Sequence, residues 1–241
     1  MIAEHQPTIF PNEVIAKVSS RANGRMPTLN VPSDPNEDLA KNRQRFLELV
    51  GISPEHTTQI IVTFDSDHYR RYRTADASEK GHGIHKTHGQ PSDALAVTEP
   101  NHALLLPLAD CVGAILYDPK QQVLMVSHLG RHSTEERGAK ANITFLKEHH
   151  GCNPKDVLVW LSPAVGSETY PLHAFHGRSL QEVNKEQFLE AGILPENIEV
   201  AEVDTALHEG YYSHSQYLQQ QEAKRGRFVI VAMMREQGEP A

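Results

Sequence analysis

The centre of the chain is a series of short, unbroken apolar runs separated by turn residues. Residues 94–98, 103–108, 112–117, 123–127 and 157–161 are rich in Val, Leu, Ile and Ala, and runs of this length bounded by turn signals read as strands. Asp118-Pro119-Lys120-Gln121 separates two of them and predicts a hairpin with a proline-containing turn. Runs at 58–64, 198–203 and 228–234 add further strands. Helical spacing appears in three places. Leu39, Arg43, Phe46, Leu47 and Val50 follow Asp34-Pro35 and precede Gly51, which predicts a helix over about 36–50. Ala139, Ile143 and Leu146 share a face within 134–150, and a helix over 180–191 ends at Gly192, the residue that suits a helix C-terminus. Residues 19–37 and 74–93 read as loops, and 215–224 is polar and Gln-rich. Strands and helices do not alternate regularly. The pattern therefore predicts an α+β fold, with mixed and antiparallel sheets flanked by helices, over a doubly wound sheet.

Composition narrows the function classes. The 241 residues form one large domain or two small ones and bury a full core without disulfides. Apolar stretches reach about 10 residues, against the roughly 18–20 that cross a bilayer, so no membrane partner is expected. The start, MIAEHQPTIF, lacks the basic-then-apolar order of a secretory signal. With two cysteines only, a reduced, cytoplasmic setting is the expectation. A net charge of −8 counts against a nucleic-acid partner but leaves room for a small anionic substrate in one local basic pocket. The unusual count is histidine, at 15, a residue that ligates metals and titrates near neutrality.

Position gives some of these residues a chemistry. Cys111 follows Asp110 at the end of one apolar run, and His128 ends another. If 112–127 is a hairpin, its two ends lie side by side and the thiol meets the imidazole. Such a pair suits an activated nucleophile or two ligands of a zinc site, while a buried cysteine also serves as a plain core residue. His68, after the 58–64 strand, would complete a three-ligand zinc site with an open position. His82, His85 and His88 recur every three residues in 74–91, but the glycines among them favour a mobile His-rich loop over a helical metal site. His128 and His132 have the four-residue spacing of helical zinc motifs, with Gly130 between them weakening that reading. Cys152 reads as structural.

The motifs also resemble, as an ordered set, those of the YfiH-like family, long labelled polyphenol oxidase or laccase-domain proteins. SSRANG (19–24) with Leu29-Asn30 is similar to the family's N-terminal signature. DPNEDLAKNRQRFLELVGI (34–52), SDALAVT (92–98), LADC (108–111), HLGRHS (128–133), SPAVGSETY (162–170), Asp204-Thr205, YYSHS (211–215) and Gly226-Arg227 follow in the family's order. The resemblance implies a single domain of this type over 1–241 and a zinc-dependent enzyme that cleaves purine nucleosides with phosphate, with possible adenosine deamination. It implies His68, Cys111 and His128 as metal ligands and catalytic-site residues, with His88 the alternative to His68. Zinc is the expected metal and copper the alternative. The partners implied are a purine nucleoside and phosphate, held by Arg21, Asn30, Arg131, His132 and Arg227, in a monomer or homodimer. This chain has Arg131-His132-Ser133 where the family has Trp-Arg-Gly, and His214-Ser215 in a segment where the family has Tyr-Arg, so its substrate pocket departs from the pattern more than its metal ligands do. Two other readings stand beside this one. One is a cysteine-nucleophile amidase on a cell-wall peptide precursor, with Cys111 attacking and His128 or His68 as base. The other is a diverged, non-catalytic ligand-binding member. The old phenol-oxidase label needs a multinuclear copper cluster, which one Cys and two His do not house.

Overall fold

The central strands are unbroken apolar runs because both of their faces are covered. The structure, a computed structural model, describes residues 3–26, 39–64, 67–87, 89–222 and 225–236. Its strands are β1 (Val14–Val18), β2 (Thr57–Gln59), β3 (Tyr72–Thr74), β4 (Ala94–Val97), β5 (Ala103–Leu108), β6 (Val112–Asp118), β7 (Val123–Leu129), β8 (Leu158–Leu161), β9 (Ile198–Val200) and β10 (Phe228–Met234). Its α-helices are α1 (Leu39–Leu49), α2 (Arg131–Glu135), α3 (Gly138–His150), α4 (Leu180–Glu190) and α5 (His214–Leu218). One sheet has the order β1-β10-β5-β2 and the other β3-β4-β7-β6-β8-β9. Each mixes parallel and antiparallel pairs, so the architecture is α+β with mixed sheets.

The period-two alternation of a strand sorts the core into three layers. From β10, Phe228, Ile230, Ala232 and Met234 point between the sheets and meet Leu95, Val97, Ile115, Leu124, Val126 and Trp160 of the other sheet. The intervening Val229, Val231 and Met233 pack on Phe46 and Leu47 of α1. On the far side, Val112, Ala114 and Leu116 of β6 meet Ala139, Ile143 and Leu146 of α3 and Leu180, Val183 and Phe188 of α4. The sheets pack tightly at Gly113, where an added Cβ would lie 2.5 Å from Ile230 Cδ1 and 2.6 Å from Leu108 Cδ1.

Tertiary context moves several boundaries. The helix expected over 134–150 is two helices, because Arg137 adopts a left-handed φ of 61° and ion-pairs with Glu190 of α4. The strand expected over 58–64 ends at Gln59, and that over 198–203 ends at Val200. Two further strands join the sheets: β1, an apolar VIAKV segment paired with β10, and β3, the polar YRT segment, which only its pairing with β4 defines. The polar 215–224 stretch contains most of α5. Within 74–91, a one-turn helix at Ala77–Glu79 is capped by Asp76, and Gly81 N–H and Gln59 N–H bond Thr57 O and His82 O respectively. Asn30 and His88 lie outside the described residues.

One buried histidine has a consequence for stability. His102 is fully buried, with Nε2 2.8 Å from Thr58 Oγ1. The Thr58 hydroxyl donates to Glu79 O at 2.8 Å, so His102 Nε2 is the donor in the bond to Thr58. Burial holds its pKa down to about 4. The unfolded chain, with a histidine pKa of about 6.5, therefore takes up this proton first as pH falls, and stability declines between about 6.5 and 4. His102→Gln should make the loss of unfolding free energy between pH 7 and pH 4.5 smaller by about 2–3 kcal/mol. Equal losses in wild type and variant, measured by urea titration at the two pH values, would refute this assignment.

Candidate functional site

The chain leaves β5 in one sheet and enters β6 in the other through Ala109, Asp110 and Cys111. That crossing requires a left-handed residue, and Asp110 supplies it with φ 80°. The conformation is costly for a residue with a Cβ unless its surroundings hold it. Here Asp110 Oδ1 accepts from Thr205 Oγ1 at 2.8 Å, Oδ2 accepts from Ser215 N–H at 2.6 Å, and the Asp110 carbonyl accepts from Val165 N–H at 2.9 Å. Three segments distant in sequence are thereby tied to one residue.

Antiparallel register then decides what lies beside Cys111. Val112 pairs with Leu129 and Gly113 with His128, so the start of β6 and the end of β7 are adjacent. His128 continues the face of Leu124 and Val126, which points between the sheets, and Cys111 packs against the same layer. The two meet at Gly130. A Cβ placed there would be 3.1 Å from Cys111 Sγ, 2.9 Å from His128 Cε1 and 3.4 Å from His128 Nε2. The missing side chain leaves a cradle between a thiol and an imidazole nitrogen, the donor types that zinc takes.

Burial sets the ionisation of this pair. It pushes the Cys111 thiol up to about 11, with Arg227 opposing and Asp110 reinforcing the shift. It holds His128 down to about 4, with the Asp93 charge pulling the other way. Arg227 reaches this point because Phe228 pairs with Leu108, which sets the preceding residue beside the crossing. Its guanidinium donates to Gly226 O at 3.1 Å, and burial and the neighbouring Arg225 lower its pKa. His214, at the first turn of α5, is held low by burial and by Arg227 and Arg225, and its buried Nδ1 has no hydrogen-bond partner. The cationic side of the site thus comprises Arg225 and Arg227, with a neutral His214 beside them.

The remaining expected residues are placed differently. The exposed Phe64 ring stands edge-on to His128 at 6.0 Å, and Tyr69 stacks on His132 at 4.6 Å. His68, between them in sequence, is exposed and lines a neighbouring cleft of about 490 Å³ with Arg70, Tyr72, Glu136 and Lys140. Among the described residues no group of three or more His, Cys, Asp or Glu is arranged to hold a metal ion; the structure brings Cys111 and His128 together and puts His68 in a cleft that neither of them lines. Arg21 is engaged by the protein itself. It donates to Glu209 O at 2.9 Å, Tyr211 O at 2.5 Å and Glu222 Oε1 at 2.5 Å, and lies over the Tyr212 ring, so it braces the 209–222 segment and does not stand open to an anion. Arg131 is exposed, 3.8 Å from Glu135, and donates to His132 Nε2 at 3.1 Å. Residues without an assigned role in the sequence reading emerge as supports: Thr205, Ser215, Arg225, Phe64, and the Arg71–Asp93 pair.

Comparison with known proteins gives one consistent family. A family model described as multi-copper polyphenol oxidoreductase laccase matches residues 17–177. A purine nucleoside phosphorylase of Bacteroides thetaiotaomicron is 23% identical over 204 residues, 73% of each chain. One from Corynebacterium glutamicum is 26% identical and covers 63% of this chain and 58% of its own length. The mouse purine nucleoside phosphorylase LACC1 is 26% identical over 75% of this chain, which spans 45% of LACC1. Solved structures with this fold include YlmD of Geobacillus stearothermophilus (TM-score 0.81, 21% identity, 93% of each chain) and YfiH of Bacillus licheniformis (TM-score 0.77, 20% identity, 93% of this chain and 94% of that one).

The cradle predicts its own test. Gly130 has φ −86° and ψ −175°, which alanine adopts freely, so Gly130→Ala acts through the added methyl group alone. It should cost about 1–3 kcal/mol of stability and abolish the thiolate-to-cadmium absorption that wild-type protein develops on titration. A variant that binds cadmium through Cys111 as wild type does would show that the space is not a ligand site.

Proposed function

The chain belongs to the YfiH-like family described as multi-copper polyphenol oxidoreductase laccase, and on that premise we propose that it is a zinc-dependent purine nucleoside phosphorylase. The observation that carries this reading is the convergence of Cys111 Sγ and His128 Nε2 on the Gly130 cradle with Arg227 beside them. The relatives named purine nucleoside phosphorylase supply the reaction class. Cys111, His128 and His68 would hold the metal, and copper is the less suited occupant in its laccase role, which needs more donors than this set contains. When bound, zinc supplies a Lewis acid that polarises an oxygen of the substrate.

This chain's own residues carry the rest. Arg227 holds phosphate against the C1′ face of the nucleoside, and its partial burial strengthens that contact. The glycosidic C–N bond breaks, a phosphate oxygen bonds C1′, and the base leaves with a proton from solvent, giving free base and ribose 1-phosphate. His132, stacked on Tyr69, and Arg131 border the substrate, and adenosine deamination is a second activity assigned to the same pocket. The amidase reading has the weaker physical support. With the thiol at about 11 and the imidazole at about 4, both are neutral at pH 7 and form no thiolate–imidazolium pair, whereas a bound metal deprotonates a coordinating thiol outright.

Zinc-replete protein should release adenine from adenosine only when phosphate is present, as chromatography of the products will show; no product with zinc and phosphate would overturn the proposal. Arg227→Gln removes charge-assisted hydrogen bonds worth about 1.5–3 kcal/mol. It should raise the KM for phosphate about 10- to 100-fold while leaving that for adenosine within a few-fold.

A further inference from the structure

The chain on both sides of His68 is anchored by a pair of residues outside the donor set, Arg71 and Asp93. Arg71 lies three residues beyond His68, so the two Cα atoms are at most about 10 Å apart however the chain runs. Every side of the Arg71 guanidinium is engaged. Nε donates to Asp93 Oδ2 at 2.9 Å and Nη2 to Asp93 Oδ1 at 3.1 Å, a bidentate fork of the kind that fixes orientation as well as charge. Nη1 donates to Thr63 Oγ1 at 2.6 Å and Nη2 to Thr63 O at 3.1 Å. The backbone joins in: Arg71 N–H donates to Asp93 Oδ2 at 2.9 Å and Asp93 N–H to Arg71 O at 2.9 Å. Asp93 is 1% exposed, and its carbonyl accepts the His128 N–H at 2.8 Å. One guanidinium thus fixes the chain on either side of His68 and ties it, through a single buried carboxylate, to the backbone of His128.

We propose that Arg71 is a positioning residue that sets the reach of His68 to the Cys111–His128 pair. The inference rests on the metal reading above and concerns how this chain builds the third ligand. Arg71 touches neither substrate nor metal. By tying the chain at Thr63 and Arg71 it restricts the backbone that carries His68, so that less conformational freedom is lost when the imidazole engages.

Cobalt(II) titration of the full metal-free chain tests this, because the thiolate charge-transfer band reports the Cys111 bond and the d–d bands report coordination number. Wild type should show a thiolate band that Cys111→Ala lacks. Arg71→Ala should keep that band, lose about 10- to 100-fold in cobalt affinity, and shift its d–d bands to those of His68→Ala. Thr63→Val, which removes only the Nη1 contact and the risk of misfolding with it, should move affinity in the same direction by less. Arg71→Ala and Thr63→Val titrating with wild-type affinity and spectrum would overturn the positioning role with the metal reading intact. A wild-type chain without the thiolate band would overturn the metal reading and this inference together.

Discussion

The site depends on a single residue held in left-handed backbone between two sheets. Asp110 turns the chain out of one sheet and into the other, and nothing short of that turn sets Cys111 at the open end of the interlayer. The strain is borne by hydrogen bonds to Thr205, Ser215 and Val165. Their geometry has a second effect, since it brings the 204–215 segment, with His214, up to the same point. One carboxylate therefore serves the fold and the assembly of the pocket at once. A neutral residue there would lose two contacts to a buried anion, each worth more than an ordinary hydrogen bond.

Burial is the second constraint, and it acts against the charged forms. A thiol and an imidazole placed where a sandwich interlayer opens are both driven neutral, and the donor pair is then suited to a cation that supplies the missing charge and ill suited to unaided nucleophilic attack. Arg227 stands next to this pair, with Arg225 beside Arg227, in a chain whose net charge is −8. That local inversion of sign is what an anionic co-substrate requires, because fields in a low-dielectric cleft depend on the nearest charges and not on the total.

Departures from the family's motifs replace basic side chains in two separate segments. His132 stands where an arginine is expected, and it stacks on Tyr69 and accepts from Arg131. Ser215 stands in a second such place and gives its N–H to Asp110, next to His214, whose buried Nδ1 is unpaired. Arg21, a family arginine retained, is consumed by Glu222 and two carbonyls. The positive charge next to Cys111 and His128 therefore comes from Arg227, with Arg225 beside it, a different distribution from the one the motifs suggested.

Strand content, the 112–127 hairpin and the adjacency of Cys111 and His128 were legible in the sequence, because each is set by local pattern: apolar runs, a proline turn and the register of antiparallel pairing. The family was legible too, through the order of its motifs. Local pattern carried β1, as the apolar VIAKV segment, but not the polar β3, which exists through its pairing with β4, nor the break at Arg137, which answers to Glu190 on another helix. It placed Arg21 at an anion when the tertiary structure had already engaged it, and it assigned no role to Arg71, Thr205 or Ser215. Those roles are decided by which segments two packed sheets bring to one end, and no spacing within a single segment carries that information.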